Sequence, residues 1–335
     1  MRNETRELFD AYLGQIAQLN GVADVSRKFT ATPTVAQRLE TRIQESSEFL
    51  GRINMIGVAE QSGEKIGLGV SGPVASTTNT ATTDRATTDL STLDDRGYTC
   101  SQTNFDTHLT YARLDAWAKF PDFQARVRDA IVKRQALDRI MIGWNGISRA
   151  ATSNPATNQL RQDVNIGWLQ KMRTENAARV LAEVVADSDE ITIGATGDYK
   201  NIDALVFDLV ADMLEPWYQE DTDLVVICGR QLLADKYFPI INQNHAPTEQ
   251  LAADVVTSQK RIGNLPAVRV PYFPPKALLV TRLDNLSIYW QEGTRRRQVV
   301  DNAKRDRIEN YESVNDAYVI EDLGGAALAE NIVLV

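Results

Sequence analysis

The longest periodic pattern in the chain runs from Phe120 to Gly146. Apolar side chains recur there at Phe123, Val127, Ala130, Ile131, Leu137, Ile140, Met141 and Trp144. Spacings of three and four put them on one face of a helix. Pro121 and Asp122 supply a start, and Gly143 and Gly146 bracket the stop. At 1.5 Å per residue the rod is about 36 Å long, which predicts an element that spans a whole domain. Asp122 with Arg126 and Asp129 with Lys133 pair acid before base one turn apart, each pair adding roughly a few tenths of a kcal/mol.

Taken in order, Glu4–Asn20 reads as an amphipathic helix, with Leu8, Phe9, Tyr12, Ile16 and Leu19 on one side and Gly21 as its stop. A charged connection, Val22–Ala31, leads to Thr32 and Pro33, a cap and a first helical residue. The second helix carries Val35, Leu39 and Ile43 and ends near Leu50–Gly51. An isolated helix of this length is marginal in water, so the first one needs a surface to lie on or is removed. From Ile53 to Val58 and again over Lys65–Val70 the pattern is that of strands. Ser76–Thr92 is almost wholly Thr, Ser, Ala, Asn and Asp, which builds no core. Strand alternation resumes over Tyr98–Tyr111 and predicts a long two-stranded arm with a polar tip.

Beyond the long helix the chain predicts a polar linker (Ser148–Gln159) and an apolar helix over Val164–Met172. It then predicts an amphipathic helix over Ile202–Leu214 ended by Pro216, an apolar strand at Leu224–Cys228, and a helix Gln231–Phe238 stopped by Pro239. Strands follow at Ala267–Val270, Leu278–Thr281, Leu286–Trp290, Gln298–Val300 and Tyr318–Ile320. Helices in the middle and antiparallel strands late make this an α+β sequence. A chain of 335 residues is long enough for two domains.

Charge and chemistry narrow the picture mainly by exclusion. A net charge of −9 argues against a general nucleic-acid binder. Cys100 and Cys228 stand alone, which fits a reducing compartment and gives neither a disulfide framework nor a zinc motif. Charges at Arg2, Glu4, Arg6 and Glu7 exclude a signal peptide, and no apolar run is long enough to span a bilayer. Gly67–Gly72, GLGVSG, matches GxGxxG, but Pro73 and the Thr-rich tract follow where a pyrophosphate-binding helix should begin. A dinucleotide-binding enzyme built on this loop is the alternative reading. Neither His108 nor His245 has a catalytic or metal-ligating neighbour in sequence, so no catalytic residue, metal or cofactor is expected. Glu220, Asp221 and Asp223 read as a solvated turn. The basic runs Arg295–Arg297 and Lys304–Arg307, interrupted by acids, read as a charged surface facing a neighbouring subunit. Trp217 and Tyr218 read as core or interface anchors.

Long stretches carry a resemblance that no short motif could. They are GEKIGLGVSGPVAST (Gly63–Thr77), IVKRQALD (Ile131–Asp138), QDVNIGWLQK (Gln162–Lys171), EPWYQEDTDLVVICGRQLLADKYFPI (Glu215–Ile240), LAADVVTSQKRIGNLPAVRVPYFP (Leu251–Pro274), NLSIYW (Asn285–Trp290) and RIENYES (Arg307–Ser313). Together they make the chain similar to the major capsid proteins of P-two-like tailed bacteriophages, members of the Hong Kong ninety-seven capsid fold. The resemblance implies a non-enzymatic subunit that assembles with itself, as pentamers and hexamers, into an icosahedral shell around double-stranded DNA. It implies a scaffold or maturation protease and a portal protein as partners, assembly in the host cytoplasm and a place in the virion.

The same resemblance assigns parts. Residues 1–31 would be a scaffold-side segment cut away during maturation, with the cut in Arg27–Ala31, after Phe29 and before Thr30. Residues 32–52 would be the N-terminal arm and 53–111 the extended E-loop reaching over a neighbour. Residues 112–200 would be the peripheral domain with Phe120–Gly146 as its spine, 201–287 the axial domain, and 288–335 return strands of both. Assembly contacts are expected at Gly63, Lys65, Arg126, Lys133, Arg134, Trp217, Tyr218, Arg295 and Arg296. Arg126, Lys133 and Arg139 are candidates to face the packaged DNA. Nothing in the sequence matches the Lys–Asn crosslinking pair of some relatives, and with the last apolar run so near Val335 no decoration domain is expected.

Overall fold

The computed structural model describes residues 1–65, 75–87, 97–120, 122–241 and 260–335. The Gly67–Gly72 run, most of the strand expected over Lys65–Val70, Pro121 and His245 lie outside the described residues. Along the chain the elements are α1 (Asn3–Asn20), β1 (Phe29–Thr30), α2 (Pro33–Glu45), β2 (Asn54–Val58), β3 (Ser62–Gly63), β4 (Tyr98–Thr99), β5 (Ser101–Asn104), β6 (Thr107–Thr110), α3 (Tyr111–Ala118) and α4 (Phe123–Asn145). Then come α5 (Trp168–Glu175), β7 (Val180–Leu181), β8 (Ile191–Ile193), α6 (Ile202–Asp208), α7 (Pro216–Gln219), β9 (Leu224–Cys228), α8 (Arg230–Ile241), β10 (Arg261–Ile262), β11 (Leu265–Arg269) and β12 (Leu278–Arg282). The chain closes with β13 (Leu286–Gln291), β14 (Arg296–Asn302), β15 (Arg307–Ile320), β16 (Ala326–Ala329) and β17 (Ile332–Leu334).

Two compact units result. The first gathers Met1–Gly63, Tyr98–Gly167 and Ser287–Tyr318. Its sheet runs β1-β14-β15-β13-β2, with β5 and β6 also pairing antiparallel to β15. Residues expected in a free arm are therefore partly built into this sheet; the ribbon pairing that the described residues retain is Ser62–Gly63 against Tyr98–Thr99. Residues 75–87 form turns and coil without helix or strand.

Helix α1 ends as its sequence predicts. Gly21 is left-handed (φ 63°), and the amides of Gly21 and Val22 return to the carbonyls of Gln18 and Ala17, the doubly bonded stop that glycine permits at this position. Its apolar face divides. Phe9 packs with Leu114, Phe123, Val127, Val299 and Ile308, and Ile16 packs with Val25 and Phe29, while Leu8 and Leu19 stay exposed. In α2, Thr32 and Pro33 open the helix, but the inward residues are Ala36, Glu40 and Ile43 rather than Val35, Leu39 and Ile43.

The long helix α4 forms where expected, three residues shorter at its start and one at its end. Its buried set is not one apolar stripe: Ala130 is exposed and Leu137 half-buried, while Gln135 and Arg139 are buried. From Arg139 to Trp144 every residue is buried, so the C-terminal end of the helix is enclosed on all sides and periodicity carries little information there. The Asp122–Arg126 pair forms at 2.8 Å, whereas Asp129 bonds Arg128 instead of Lys133. At the end of α4, Gly146 and Gly167 let two backbones touch: the Gly167 amide donates to the Gly146 carbonyl at 3.0 Å. A Cβ at Gly167 would stand 2.3 Å from the Gly143 carbonyl oxygen.

The second unit comprises Glu64–Gly97, Trp168–Leu286 and Val319–Val335. Its sheet has the order β10-β11-β9-β12-β16-β7. Strand β9, LVVIC, is buried at all five positions, parallel to β11 and antiparallel to β12, as an unbroken apolar run requires. The helix expected over Ile202–Leu214 changes pitch, α6 passing into a π-helical turn at Leu209–Met213. Pro216 opens α7 rather than ending its predecessor, and α8 continues through Pro239.

Gly167→Ala should destabilise the protein by about 1–3 kcal/mol through overpacking. Gly14→Ala, in mid-helix with nothing within 4 Å, should stabilise it by about 0.5–1 kcal/mol. Urea unfolding midpoints of the two variants against the parent test both signs.

Candidate processing and assembly surfaces

Three segments distant in sequence meet in a buried ionic cluster of the first unit. Glu40 comes from α2, Arg139 from α4, and Arg295, Glu312 and Asp316 from the β14–β15 region. All five are at most 2% exposed. Arg139 holds both Glu40 oxygens, with Nη2 at 3.2 Å from Oε1, and grips Asp316 through Nη2 at 3.0 Å and Nε at 3.3 Å. Arg295 bridges Glu40 and Glu312, and Arg297 approaches Glu312 at 3.5 Å. The Asn165 side chain donates to the Asp316 carbonyl at 2.9 Å.

The charges set unequal proton affinities. Burial works to raise Glu40, but Arg139 and Arg295 outweigh it and hold the carboxyl down at about 2. Glu312 is likewise held low, its burial overcome by Arg297 and Arg295. Asp316 goes the other way, to about 6: burial dominates, and the help from Arg139 is offset by the nearby Glu40 charge. Pairs this deep contribute little over an apolar packing of the same volume, but breaking one leaves a charge stranded.

The cluster corrects two sequence-level expectations. Arg295 and Arg139 are core residues, unavailable to a neighbour or to DNA. Periodicity missed them, together with Glu40, because it scores charged side chains as surface. A hint existed in Glu40 lying three residues before Ile43, one helical turn along the same face.

Just upstream, the segment before α2 is laid against the sheet edge. Phe29 and Thr30 pair with Arg297 and Arg296. The Ala31 amide donates to the Arg295 carbonyl at 2.9 Å, the Val299 amide to the Val25 carbonyl at 2.9 Å, and the Gln298 side chain to the Ser26 carbonyl at 2.7 Å. Phe29 is buried against Ile16 and Val25, whereas Thr30 is exposed.

The remaining nominated residues are spread over both units rather than gathered at one site. In the first unit Arg126 bonds Asp122 and lies 4.3 Å from the Phe120 ring centre, Arg134 pairs with Asp138, and Lys133 and Arg296 are exposed. Gly63 sits in β3. In the second unit Lys65 is half-buried, Trp217 is 44% exposed and Tyr218 is half-buried, its hydroxyl donating to Asp322 at 2.7 Å. Asp221 of the acidic turn binds Arg282 at 3.0 Å. Burial pushes the thiol of Cys100 up to about 12, with Asp316 adding to it, and that of Cys228 to about 11. Neither is a nucleophile at neutral pH. Among the described residues no group of three or more His, Cys, Asp or Glu is arranged to hold a metal, and no helix is long and apolar enough to cross a membrane.

Comparison with known proteins matches this arrangement over its full length. The sequence model described as "Phage major capsid protein, P2 family" matches residues 8–332. The chain is 55% identical to the capsid proteins of Escherichia phage P2, over 99% of this chain and 95% of that one. It is 41% identical to the major capsid protein of Serratia phage KSP20, over 99% and 97%. Among solved structures it superposes on a chain of the satellite phage P4 procapsid, which includes the size determination protein, with a TM-score of 0.85 and 52% identity, covering 100% and 99% of the two chains. A capsid chain of the empty GTA particle shares the fold alone, at TM-score 0.52 and 14% identity over 86% and 90%.

Glu40→Ala should cost about 3–5 kcal/mol by stranding two arginines, whereas Trp217→Ala should stay within about 0.5 kcal/mol. Glu40 and Glu312 have depressed folded values, so their stabilisation is lost as pH falls below the unfolded value of 4.5. Asp316 is raised from 3.8 to about 6, so its ionisation removes stability as pH climbs through that interval. Urea midpoints should therefore peak between the two limbs, and Asp316→Asn should flatten the upper limb while leaving the acid one.

Proposed function

The chain belongs to the P2 family of phage major capsid proteins, and from that premise we propose how its parts serve the icosahedral shell of a tailed phage. It is a structural subunit that builds the shell with copies of itself. The full-length match to the phage P2 capsid proteins and the P4 procapsid chain carries this reading. The same match leaves the dinucleotide-binding alternative at Gly67–Gly72 without support.

The N-terminus divides in our reading into a part that leaves and a part that stays. Helix α1 is held by few strong contacts. Its fully buried apolar anchors are Phe9 and Ile16, each about 1.5–3 kcal/mol. Its Arg6–Asp301 pair is half in solvent and adds little. Helix α2 is held by Glu40 inside the ionic cluster, with Ala36 and Ile43 beside it. A cut after Phe29 separates the two just before that anchor. The maturation protease must first lift Phe29–Thr30 from β14, since proteases bind extended segments through the backbone groups that β1 has already paired. Cleavage thereby depends on a subunit state in which the edge strand has opened.

The polar Ser76–Thr92 segment serves as the tip of an arm over a neighbouring subunit, α4 as the spine of the peripheral domain, and the β9 sheet as the core of the axial domain. Trp217, exposed on α7, is an apolar contact for the next copy around a pentamer or hexamer axis. Packaged double-stranded DNA, a portal protein and the protease are the remaining partners, and assembly takes place in the host cytoplasm. Lys133 and Arg126, both exposed, are the residues of α4 left to face DNA once Arg139 is assigned to the core.

Electron microscopy of the purified chain, expressed with and without its protease, tests the reading. Closed shells of uniform size are expected. Mass spectrometry of chains from protease-treated shells should give a new N-terminus at Thr30, or elsewhere within Arg27–Thr32. A chain that stays monomeric, or mature shells built of full-length chains, would overturn the corresponding half.

A further inference from the structure

Between α1 and α2 the first unit leaves open a cleft of about 920 Å³. One wall is the outer face of α1, with Leu8, Tyr12 and Leu19; the opposite wall is α2, with Val35 and Leu39; Phe120 and Phe123 line the base. Leu8, Leu19 and Phe120 are 39%, 60% and 37% exposed, an apolar concentration that solvent-facing helix surfaces ordinarily avoid. The rim is of one sign. Arg38, Arg42, Lys119, Arg128 and Arg297 border the cleft against a single acid, Asp122, which Arg126 already engages; Arg128 is bonded to Asp129 and Arg297 faces Glu312, which leaves Arg38, Arg42 and Lys119 for an incoming acid. Arg38 and Arg42 have no acidic partner among the described residues, in a chain whose overall charge is −9.

We propose that this cleft docks an amphipathic helix of a partner protein, its leucine- or phenylalanine-bearing stripe on the Leu8–Leu19–Phe120 surface and its acidic flanks on Arg38 and Arg42. An apolar trough with charged rims is the form that helix-in-groove recognition takes, and complementary rim charge supplies orientation and association rate. The apolar walls disfavour nucleic acid, whose phosphates need a polar, accessible basic face.

The site has a built-in lifetime. It rests on the proposed processing, because α1 forms one of its walls: removing residues up to Phe29 takes away Leu8, Tyr12 and Leu19 together. The partner is held by the uncut subunit and released when the wall goes. One proteolytic event then changes both the subunit and its company.

The test uses the full-length chain and a display library of amphipathic helices with randomised flanking charge, counter-selected against the Arg38→Glu/Arg42→Glu variant. Both arginines are exposed, so this variant should keep its fold, as checked by its urea midpoint. Enriched helices should be net acidic. The best of them, labelled and measured by fluorescence anisotropy, should bind at least tenfold more weakly to Arg38→Glu/Arg42→Glu and to Leu19→Asp. It should also dissociate when the folded chain is trimmed to Thr30. Enrichment of basic or neutral helices, or affinity unchanged in both variants, would overturn the proposal. So would competition by a DNA duplex at equal charge concentration, or a dimer of the chain abolished by Leu19→Asp. Persistence of the complex after trimming would overturn the release step alone. The binding arms need no cleavage, so a failed cleft and a failed processing site give different results.

Discussion

Glu40 sits where no solvent reaches it, between Arg139 and Arg295, and the first unit is organised around that contact. A buried carboxylate is tolerable only with its charge matched and its oxygens bonded, and two guanidiniums from separate parts of the chain do both. The requirement reaches far. It fixes which face of α2 turns inward, pins α4 to the sheet, and ties the β14–β15 region to α2. Charges this deep do more to specify a geometry than to deepen stability, because any other docking of α2 leaves an ion without a partner. For a subunit that must present the same surfaces to many identical neighbours, that is a fitting use of a costly device.

Contrast within the N-terminal fifty residues follows from this anchor. α1 and α2 are similar amphipathic helices joined by a short segment, yet they are held by different physics. One rests on non-directional apolar burial and half-solvated pairs, which yield gradually. The other is locked by directional, charge-assisted bonds that have no cheap alternative. In the proposed reading, a cut between them separates the chain along the weaker attachment, at the strand Phe29–Thr30 that β14 holds paired. The basic-rimmed cleft beside α1 belongs to the same logic, since it exists only while both helices are present.

Asp316 gives the cluster a second character. Glu40 is held down at about 2 and Glu312 below its ordinary value, but Asp316, sharing Arg139, is pushed up to about 6. The same group of residues is therefore rigid toward one carboxylate and adjustable toward another. The second unit has no comparable feature among its described residues; its centre is the apolar β9 sheet, which tolerates no change of charge state.

The family was legible in the sequence because resemblance runs over hundreds of residues, and so were the elements whose burial is one-sided or total. α1, its Gly21 stop, the Thr32–Pro33 start, α4 and the apolar β9 all carry their signal in local spacing and capping chemistry. What could not be read was any property created by contacts between distant residues. Arg139 and Arg295 looked like surface charges because their partners lie ninety-nine and two hundred and fifty-five positions away from them at Glu40. Strands β5 and β6 looked like part of an arm because only their pairing with β15 assigns them to a sheet. α8 passes through Pro239, and Gly146 and Gly167 are required by a backbone approach across twenty-one residues of chain. Local sequence determined which segments become helix or strand and to which family the chain belongs; the tertiary structure decided which faces turn inward, because burial and ion pairing are settled only when distant segments meet.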